Sequence, residues 1–374
     1  MTSPRVSVIL PNYNYGHFLQ QRIESILNQT FRDIELICID DASSDHSRDV
    51  LSHYLEHPKV RIYYNEVNHG SPFHSWNLGV SLAVGEYVWI AEADDLSDKD
   101  FLASMVQLMD SQVTVGIAYC QSVVIDEHGN TTGSLLTWMQ TFDNNRWSSS
   151  FVENGQYECR TMFCRFCEIA NVSAALIRRT AYLTAGGADE SSRLVGDWKL
   201  YLQILQKWDI AYIAKTLNRF RHHQGNLRSS TALSGVDIIE KYGLAQSMFP
   251  MLQMDDSYEA MAHRSLREQW LECASRLWQR SHRYTHMTIF SLARSIDKNV
   301  SKHTLSEIYS VCGFAALGAC DQKTAAYWFL EAAKLNWRVL QNRGVLSVIA
   351  RYALSLLSRI PTESPEGHRR ENAR

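Results

Sequence analysis

Residues 6–14 have the sequence VSVILPNYN, an apolar run rich in β-branched residues that gives way to a proline and polar residues. Such a run over about residues 5–10 predicts a buried strand that ends in a turn. Similar runs follow at residues 34–39, 60–64 and 87–90, and the segments between them carry apolar residues at helical spacing. Strands that alternate with helices in this way predict an α/β fold with a mostly parallel, Rossmann-like sheet and flanking helices.

Polar residues follow three of these strands directly. They form the clusters Pro11-Asn12-Tyr13-Asn14, Asp40-Asp41 and Glu92-Ala93-Asp94-Asp95. Because ligands of open α/β sheets bind outside the carboxyl ends of the strands, we expect the three clusters to converge on one site. There Tyr13 could stack on a base, and Asp40 or Asp41 could accept a hydrogen bond from a base N–H or a ribose hydroxyl. Ordinary turn chemistry is the alternative for these residues.

The third cluster places several carboxylates in one short turn, where they repel one another unless a cation is present. Oxygen ligands in this arrangement suit Mg²⁺ or Mn²⁺, which bridge one or two carboxylates to substrate phosphates. A metal held there would neutralise charge on a leaving diphosphate. A solvated acidic turn that caps the next helix is the alternative.

Two further segments carry candidate chemistry. Asp197 is at the start of a predicted helix. There it could act as a general base, or it could simply be a carboxylate that the helix dipole stabilises. Arg221, His222 and His223 follow the last predicted strand, at residues 210–213. They could hold diphosphate oxygens or complete a metal shell, or they could form an exposed basic loop.

Taken in order over about residues 5–230, these segments resemble the inverting family 2 glycosyltransferases, enzymes of GT-A fold that use nucleotide-activated sugars. The matching segments are residues 6–14, Ser25-Ile26-Leu27-Asn28-Gln29-Thr30-Phe31, Asp40-Asp41-Ala42-Ser43-Ser44-Asp45, Asn77-Leu78-Gly79, Gly85-Glu86-Tyr87, Glu92-Ala93-Asp94-Asp95, Gly186-Gly187-Ala188-Asp189-Glu190 and Gly196-Asp197-Trp198. The sequence departs from the family at Glu92, where Asp is usual, and at Gly196, where many members have Glu.

The resemblance implies a transferase that moves a sugar from a nucleoside diphosphate sugar, with UDP favoured, to a glycan or lipid-linked acceptor in bacterial surface polysaccharide assembly. It implies a nucleotide-sugar site formed by Pro11, Asn12, Tyr13, Asp40, Asp41, Asn77, Glu92, Ala93 and Asp94. It also implies that Asp94 and Asp95 hold Mn²⁺ or Mg²⁺ and that Asp197 is the catalytic base. Diphosphate or acceptor contacts would come from Trp198, Arg221, His222 and His223.

The β pattern stops near residue 235, which predicts two domains. We expect a GT-A domain over residues 1–234, with a donor half over about 1–115 and an acceptor half over about 116–234, and an all-α accessory domain over 235–374. Within the accessory domain one helix pair has small residues at tetratricopeptide spacing, but one match is weak evidence for a repeat, and a helical bundle packed on the catalytic domain is the favoured interpretation. The residues of that pair are Tyr309, Cys312, Gly313, Ala325, Phe329 and Ala332.

The carboxyl-terminal segment 341–360 predicts an amphipathic helix. Its apolar stripe is Val345, Leu346, Ile349, Tyr352, Ala353, Leu356, Leu357 and Ile360, and its polar row is Arg343, Ser347, Arg351, Ser355 and Arg359. Such a helix either packs its stripe on its own domain or lies on an anionic membrane, here the inner face of the cell membrane.

Composition limits the classes of partner and compartment. The 374 residues include 37 Lys and Arg against 40 Asp and Glu, a formal net charge of −3. This balance gives no overall attraction to a polyanion, so we expect no nucleic-acid partner. The first residues lack a signal-peptide pattern and no run of about 18 apolar residues occurs, so we expect a cytoplasmic protein whose eight cysteines are free thiols.

Two other functions compete with a glycosyltransferase. A nucleotidyltransferase also uses paired carboxylates and a metal, but it needs a glycine-rich loop with Lys or Arg near the amino terminus, which residues 11–16 do not provide. A non-catalytic glycosyltransferase-like scaffold in a polysaccharide assembly complex stays the alternative.

Overall fold

The computed structural model describes residues 3–223 and 234–357. These residues form two compact units. The first contains residues 3–223 and 236–266, and the second contains residues 267–357 together with 234 and 235. Residues 236–266, which the sequence analysis assigns to the accessory domain, thus belong to the α/β unit.

Ten strands of the described residues form one mixed sheet in the first unit. They are β1 (Val6–Asn12), β2 (Ile34–Asp40), β3 (Val60–Tyr64), β4 (Tyr87–Ile90), β5 (Leu96–Ser97), β6 (Val115–Ile125), β7 (Thr131–Ser134), β8 (Phe151–Glu153), β9 (Ala175–Arg178) and β10 (Asp209–Arg221). The main path of the sheet is β3-β2-β1-β4-β9-β6-β10-β5, with β7 beside β6 and β8 beside β10. Strands β3, β2, β1 and β4 are parallel, as the sequence predicts. Strand β9 is antiparallel to both of its neighbours.

Fourteen α-helices surround or follow the sheet in the described ranges. They are α1 (Gly16–Leu27), α2 (Ser47–Ser52), α3 (Pro72–Leu82), α4 (Phe101–Ser111), α5 (Leu135–Met139), α6 (Gly155–Glu158), α7 (Arg179–Thr184), α8 (Gly196–Leu205), α9 (Val236–Leu252), α10 (Asp256–Arg276), α11 (Arg283–Ile296), α12 (Lys302–Gly318), α13 (Gln322–Leu335) and α14 (Arg343–Leu357).

Alternate residues of the central strands face two hydrophobic cores, one on each side of the sheet. Along β1, Ile9 belongs to one core, whereas Val8 and Leu10 belong to the other. Helix α9 contributes Leu244 and Met248 to the core that contains Ile9, which explains its place in the α/β unit. The strand alternation buries apolar side chains on both faces, as expected of a sheet covered on both sides.

One predicted strand is much longer than its apolar run. The sequence predicts a strand at residues 210–213, but β10 continues to Arg221 and pairs with β6 along most of its length. Arg221 is therefore the last residue of this strand, where it is buried, and it is not part of an exposed loop.

The second unit is helical. Helices α12 and α13 cross closely at Gly313, where a Cβ atom would lie 2.6 Å from the Phe329 ring. Helix α14 packs Val345 and Val348 on this pair, while Leu346 and Leu354 are exposed. Residues 358–360 of the predicted amphipathic segment lie outside the described residues. No helix in the described ranges is long and apolar enough to cross a membrane.

Candidate functional site

An open cavity of about 1210 Å³ lies where β1, β2 and β4 end. The predicted site residues that line it are Pro11, Asn12, Tyr13, Asp41, Glu92, His222 and His223. Because β2, β1 and β4 are neighbours in the sheet, their carboxyl ends bring all three polar clusters to this edge. The cavity is large enough for a nucleotide-sized ligand.

The two aspartates after β2 have different surroundings. Asp40 is fully buried and accepts hydrogen bonds from Asn12 Nδ2 at 2.8 Å, from the Ser43 amide at 3.2 Å and from Arg48 Nε at 3.3 Å. It does not line the cavity, and its contacts connect the turn after β1 to the turn after β2. The sequence predicts both Asp40 and Asp41 at the nucleotide, and of these two only Asp41 lines the cavity.

Asp41 organises the loop that follows β3. Its carboxylate accepts hydrogen bonds from Asn65 Nδ2 at 2.7 Å and from the His69 amide at 2.9 Å, and it lies 2.8 Å from His69 Nδ1. Burial alone would raise the pKa of Asp41, but the bonds from His69 and Asn65 outweigh burial and lower that pKa. Asp41 is thus an ionised group at the cavity wall.

The three carboxylates of the acidic turn after β4 lie in different environments. Glu92 accepts a hydrogen bond from Trp76 Nε1 at 2.9 Å, and burial together with Asp94 and Asp95 raises its pKa to about 8. Asp95 is buried and accepts from Asn171 Nδ2 at 2.8 Å and from the Arg221 amide at 2.9 Å. Burial, and then the charge of Asp94, raises the pKa of Asp95. Neither Asp94 nor Asp95 lines the cavity, but both Asp95 oxygens already accept hydrogen bonds, so Asp95 is the less suited of the two to hold the predicted metal.

A buried arginine lies near this turn. Arg22 of α1 is completely buried, and its guanidinium lies 5.0 Å from the centre of the Trp89 ring. Burial lowers the pKa of Arg22 to about 10, although the charges of Asp95, Asp94 and Glu92 oppose this effect. Arg22 therefore offsets part of the repulsion within the acidic turn.

Asp94 is paired with a histidine that lies 129 positions later in the sequence. His223 Nε2 lies 3.1 Å from Asp94 Oδ2, and the His223 ring contacts the rings of Tyr15 and Phe18. A carboxylate oxygen and an imidazole nitrogen are both donor types that Mn²⁺ accepts. The described residues contain no group of three or more His, Cys, Asp or Glu that could hold a metal. Asp94 and His223 thus fit a site whose remaining ligands are substrate oxygens and water.

The Arg221 guanidinium donates most of its hydrogen bonds to main-chain carbonyl oxygens. It donates to Asp94 O at 2.6 Å, Asp126 O at 2.8 Å and Glu127 O at 2.9 Å, and to the Gln21 side chain at 3.0 Å. Arg221 does not line the cavity. The sequence assigned it to the diphosphate or the acceptor, whereas in the structure it fixes the acidic turn against the segment that follows β6.

Three other predicted residues also lie outside the cavity lining. Asn77 of α3 donates hydrogen bonds from Nδ2 to Ala188 O and to the Glu190 carboxylate. Its Oδ1 accepts hydrogen bonds from Tyr182 Oη and from the Ala188 amide. Trp198 is buried and donates to Phe163 O at 2.9 Å. Ala93 is fully buried in the core. Asn77 and Trp198 thus connect elements of the fold and do not contribute to the cavity lining.

Asp197 opens α8 and lies four residues after Arg193, which does line the cavity. Asp197 itself is not among the lining residues. Behind it the buried Tyr201 hydroxyl has no hydrogen-bond partner in the described part of the chain. Burial raises the pKa of Tyr201, and the charges of Asp197 and Glu92 add to this increase. The pKa of the Tyr201 hydroxyl is thus affected both by the predicted base and by the acidic turn.

Several residues that line the cavity are not among those that the sequence predicts. They include His17, Asn68, Ser71 and Arg193. Arg193 precedes the Gly196-Asp197-Trp198 motif by three residues, and this position was the available signal. For His17, Asn68 and Ser71 no pattern in the sequence indicated a place at the site.

Residues 7–171 match the family model described as glycosyl transferase family 2. Over these residues the chain is similar to family 2 glycosyltransferases. The resemblance stated from the motifs is thereby confirmed for this part of the chain.

Curated glycosyltransferases are similar to part of this chain. GlyG of Streptococcus pneumoniae, named a glycosyltransferase, is 35% identical over 121 residues, which are 31% of this chain and 40% of GlyG. A poly(ribitol-phosphate) β-glucosyltransferase of Bacillus spizizenii is 34% identical over 24% of this chain and 15% of its own length. The chain thus spans less than half of either relative.

A solved structure shares the fold over most of the chain. Residues 1–349 of S. aureus TarS, in complex with UDP-GlcNAc, superimpose with a TM-score of 0.62 at 14% identity. The alignment covers 88% of this chain and 91% of the TarS fragment. This likeness confirms the predicted architecture, an α/β GT-A fold followed by a helical region.

Proposed function

We propose that the protein is an inverting glycosyltransferase that moves a sugar from a nucleoside diphosphate sugar to a hydroxyl of a glycan or lipid-linked acceptor in bacterial surface polysaccharide assembly. The observation that carries this proposal is the pairing of Asp94 with His223 beside the cavity at the strand ends. The relatives named for glycosyl transfer support the reaction class.

The donor site in this proposal follows the cavity lining. Pro11 and Tyr13 border the base, and Asp41 with its loop is the polar wall at the nucleoside. Tyr13 is 46% exposed, so its ring is available to stack on a base. The UDP-GlcNAc bound to TarS supports UDP-sugars as the first donors to test.

Asp94 and His223 would hold Mn²⁺ or Mg²⁺ together with the donor diphosphate. Bound there, the ion would supply positive charge to the departing diphosphate. Arg221 keeps Asp94 in place through the main-chain carbonyl, and Asn171 fixes the neighbouring Asp95. In this proposal these contacts hold the acidic turn in place, so that the Asp94 carboxylate and the His223 imidazole are together at the leaving group.

Asp197 is the proposed general base. Its carboxylate takes the proton of the acceptor hydroxyl while the acceptor oxygen forms a bond to the anomeric carbon. The bond from that carbon to the diphosphate breaks in the same step, and its electron pair leaves with the nucleoside diphosphate. Attack from the side opposite the leaving group inverts the configuration.

A thermal-shift panel tests this proposal. UDP-, GDP-, CMP- and dTDP-sugars are each measured with Mn²⁺ and with EDTA, since a ligand that binds only the folded state raises the melting temperature. A shift with one nucleotide that disappears in EDTA is expected. A panel without any shift would favour the alternative, a non-catalytic scaffold.

We also propose a cytoplasmic location with peripheral contact at the inner face of the cell membrane. The described residues include all eight cysteines and none of them forms a disulfide, which agrees with a reducing compartment. The proposed membrane face differs from the predicted stripe, because Val345, Ile349 and Tyr352 pack on the helical unit. Leu346 and Leu354 are exposed on the other side of α14, next to the exposed side chains of Arg343 and Arg351. Apolar residues flanked by arginines suit an anionic lipid surface.

A further inference from the structure

One carboxylate holds three consecutive main-chain amides beside the cavity. Glu240 of α9 accepts hydrogen bonds from the amides of Arg193 at 2.8 Å, Leu194 at 2.9 Å and Val195 at 3.2 Å. Glu240 follows these residues by 45 to 47 positions in the chain. Three donors on one charged acceptor fix the backbone direction of the segment that leads into α8.

The same segment is held from the other side by α3 and the loop before it. Ser71 Oγ donates to Ser192 O at 3.1 Å. Gly196 lies so close to Phe73 that a Cβ atom would be 2.5 Å from the ring. The main chain around Arg193 is therefore fixed at both ends, and the Arg193 side chain begins from a defined point on the cavity wall.

The charges of the cavity wall make this side chain distinctive. The carboxylates of Asp41, Asp126 and Glu127 line the cavity, and so does Glu92, whose raised pKa leaves it largely protonated near pH 7. Among the described lining residues, Arg193 is the only arginine or lysine. A nucleoside diphosphate that enters a cavity lined by carboxylates needs a cationic partner. Arg221 already donates its hydrogen bonds to carbonyl groups. Arginine is suited to phosphate because its planar guanidinium can donate two parallel hydrogen bonds.

We infer that Arg193 binds the diphosphate of the donor and that Glu240 is the positioning residue for Arg193. This inference rests on the proposed function, because the diphosphate is the anionic group that the reaction brings into the cavity. Glu240 does not contact substrate in this scheme. It acts by holding the amides of residues 193–195.

Calorimetric titration of the full chain with UDP and with uridine, at constant Mn²⁺, tests the role of Arg193. Arg193→Ala is expected to raise the Kd for UDP by about tenfold or more, since a charge-assisted hydrogen bond is lost. The Kd for uridine should not change, and Arg193→Lys should restore part of the affinity. Arg32→Ala is the matched control, because Arg32 is exposed and precedes β2 at the opposite edge of the sheet.

A double-mutant cycle tests Glu240. Glu240→Gln puts an amide nitrogen on one oxygen position, which weakens bonds to the segment and should raise the Kd for UDP in the wild-type background. The same change should have no further effect when Arg193 is already alanine. A merely structural role would instead weaken uridine binding as well and would add to the loss in Arg193→Ala.

The possible results distinguish a failure of the role of Arg193 from a failure of the proposed function. UDP binding by Arg193→Ala within about twofold of the wild type, or an equal loss of uridine binding, would overturn the role of Arg193 and leave the proposed function standing. A wild-type protein that binds neither UDP nor GDP would overturn the donor assignment and the role of Arg193 together.

Discussion

His223 Nε2 and Asp94 Oδ2 lie 3.1 Å apart although the two residues are 129 positions apart in the sequence. The pair forms because β10 runs the full length of β6 and returns the chain to the end of β4. A short apolar run predicted only the first part of β10, so the meeting of the two residues depends on the length of that strand.

The first prediction concerns metal binding by this pair. Asp94→Asn and His223→Ala should each raise the Mn²⁺ concentration needed for half-maximal donor binding by about tenfold or more, as loss of metal partners commonly does. The measurement is a Mn²⁺ titration of UDP-sugar binding. His53→Ala, an exposed histidine on another surface, is the control and should match the wild type. Unchanged titrations for both pair variants would exclude the pair as ligands.

The second prediction concerns the base. Asp197→Asn should lower the transfer rate by about 10²- to 10⁴-fold, because the amide cannot take the acceptor proton. Binding of the donor, measured by calorimetry, should stay close to that of the wild type. Asp33→Asn changes an exposed aspartate before β2 and should leave the transfer rate unaltered. Full turnover by Asp197→Asn would remove Asp197 from the mechanism.

The third prediction separates stability from binding at Asn77. Asn77→Ala removes the bonds to Tyr182, Ala188 and Glu190 and should lower the free energy of unfolding by roughly 2–3 kcal/mol. Thermal unfolding measures this loss, with the exposed Asn299→Ala as the reference. The Kd for UDP should not change. A weakened UDP affinity in a variant of normal stability would instead return Asn77 to the donor site.

The strand ends could be predicted from sequence because their signal is local. An apolar run followed by Asp40-Asp41 or by the 92–95 cluster identifies both the strand and the edge of the sheet at which its polar residues lie. Which of two adjacent carboxylates faces the cavity depends on tertiary contacts. Asn12 and Arg48 donate hydrogen bonds to the Asp40 carboxylate, and Asp41 is the aspartate that lines the cavity.

Roles that depend on distant main-chain atoms could not be predicted. Arg221 belongs to a basic run that suggested phosphate binding, yet its partners are carbonyl oxygens that have no sequence signature. The bonds from residues 193–195 to Glu240 join two segments whose relation appears only in the folded chain. Helix α14 posed a different difficulty, because it is apolar on two sides and periodicity alone cannot tell which side is packed.

The fourth prediction concerns pH and the helical unit. His286 is buried, its Nδ1 accepts from Trp270 Nε1 at 3.2 Å, and its Nε2 lies 3.1 Å from Leu277 O, an arrangement that requires the neutral ring. Burial lowers its pKa from 6.5 to about 4. The unfolded chain therefore binds the proton more readily, and stability should fall by roughly 2 kcal/mol between pH 7 and pH 5 from this group alone.

Guanidinium unfolding at the two pH values measures this effect. The loss of stability on acidification should be smaller in His286→Gln by that same amount, because glutamine does not titrate. An identical pH dependence in the two proteins would show that His286 is not the titrating group responsible.

The fifth prediction concerns the exposed side of α14. Wild-type protein should float with vesicles that contain phosphatidylglycerol and not with pure phosphatidylcholine, and high salt should weaken the binding. Leu346→Glu combined with Leu354→Glu should abolish flotation. Leu55→Glu, which changes an exposed leucine of the α/β unit, is the control. If the wild type never floats with anionic vesicles, the membrane proposal is wrong.

The bonds between Glu240 and residues 193–195 also limit how such a chain can recombine. A natural or designed fusion that exchanges the carboxyl-terminal helices at residue 235 would replace Glu240 and release the segment before Asp197. A crossover placed after residue 266 would carry α9 along with the α/β unit. We therefore expect hybrids joined at the later point to keep transferase activity, whereas those joined where the β pattern stops lose it.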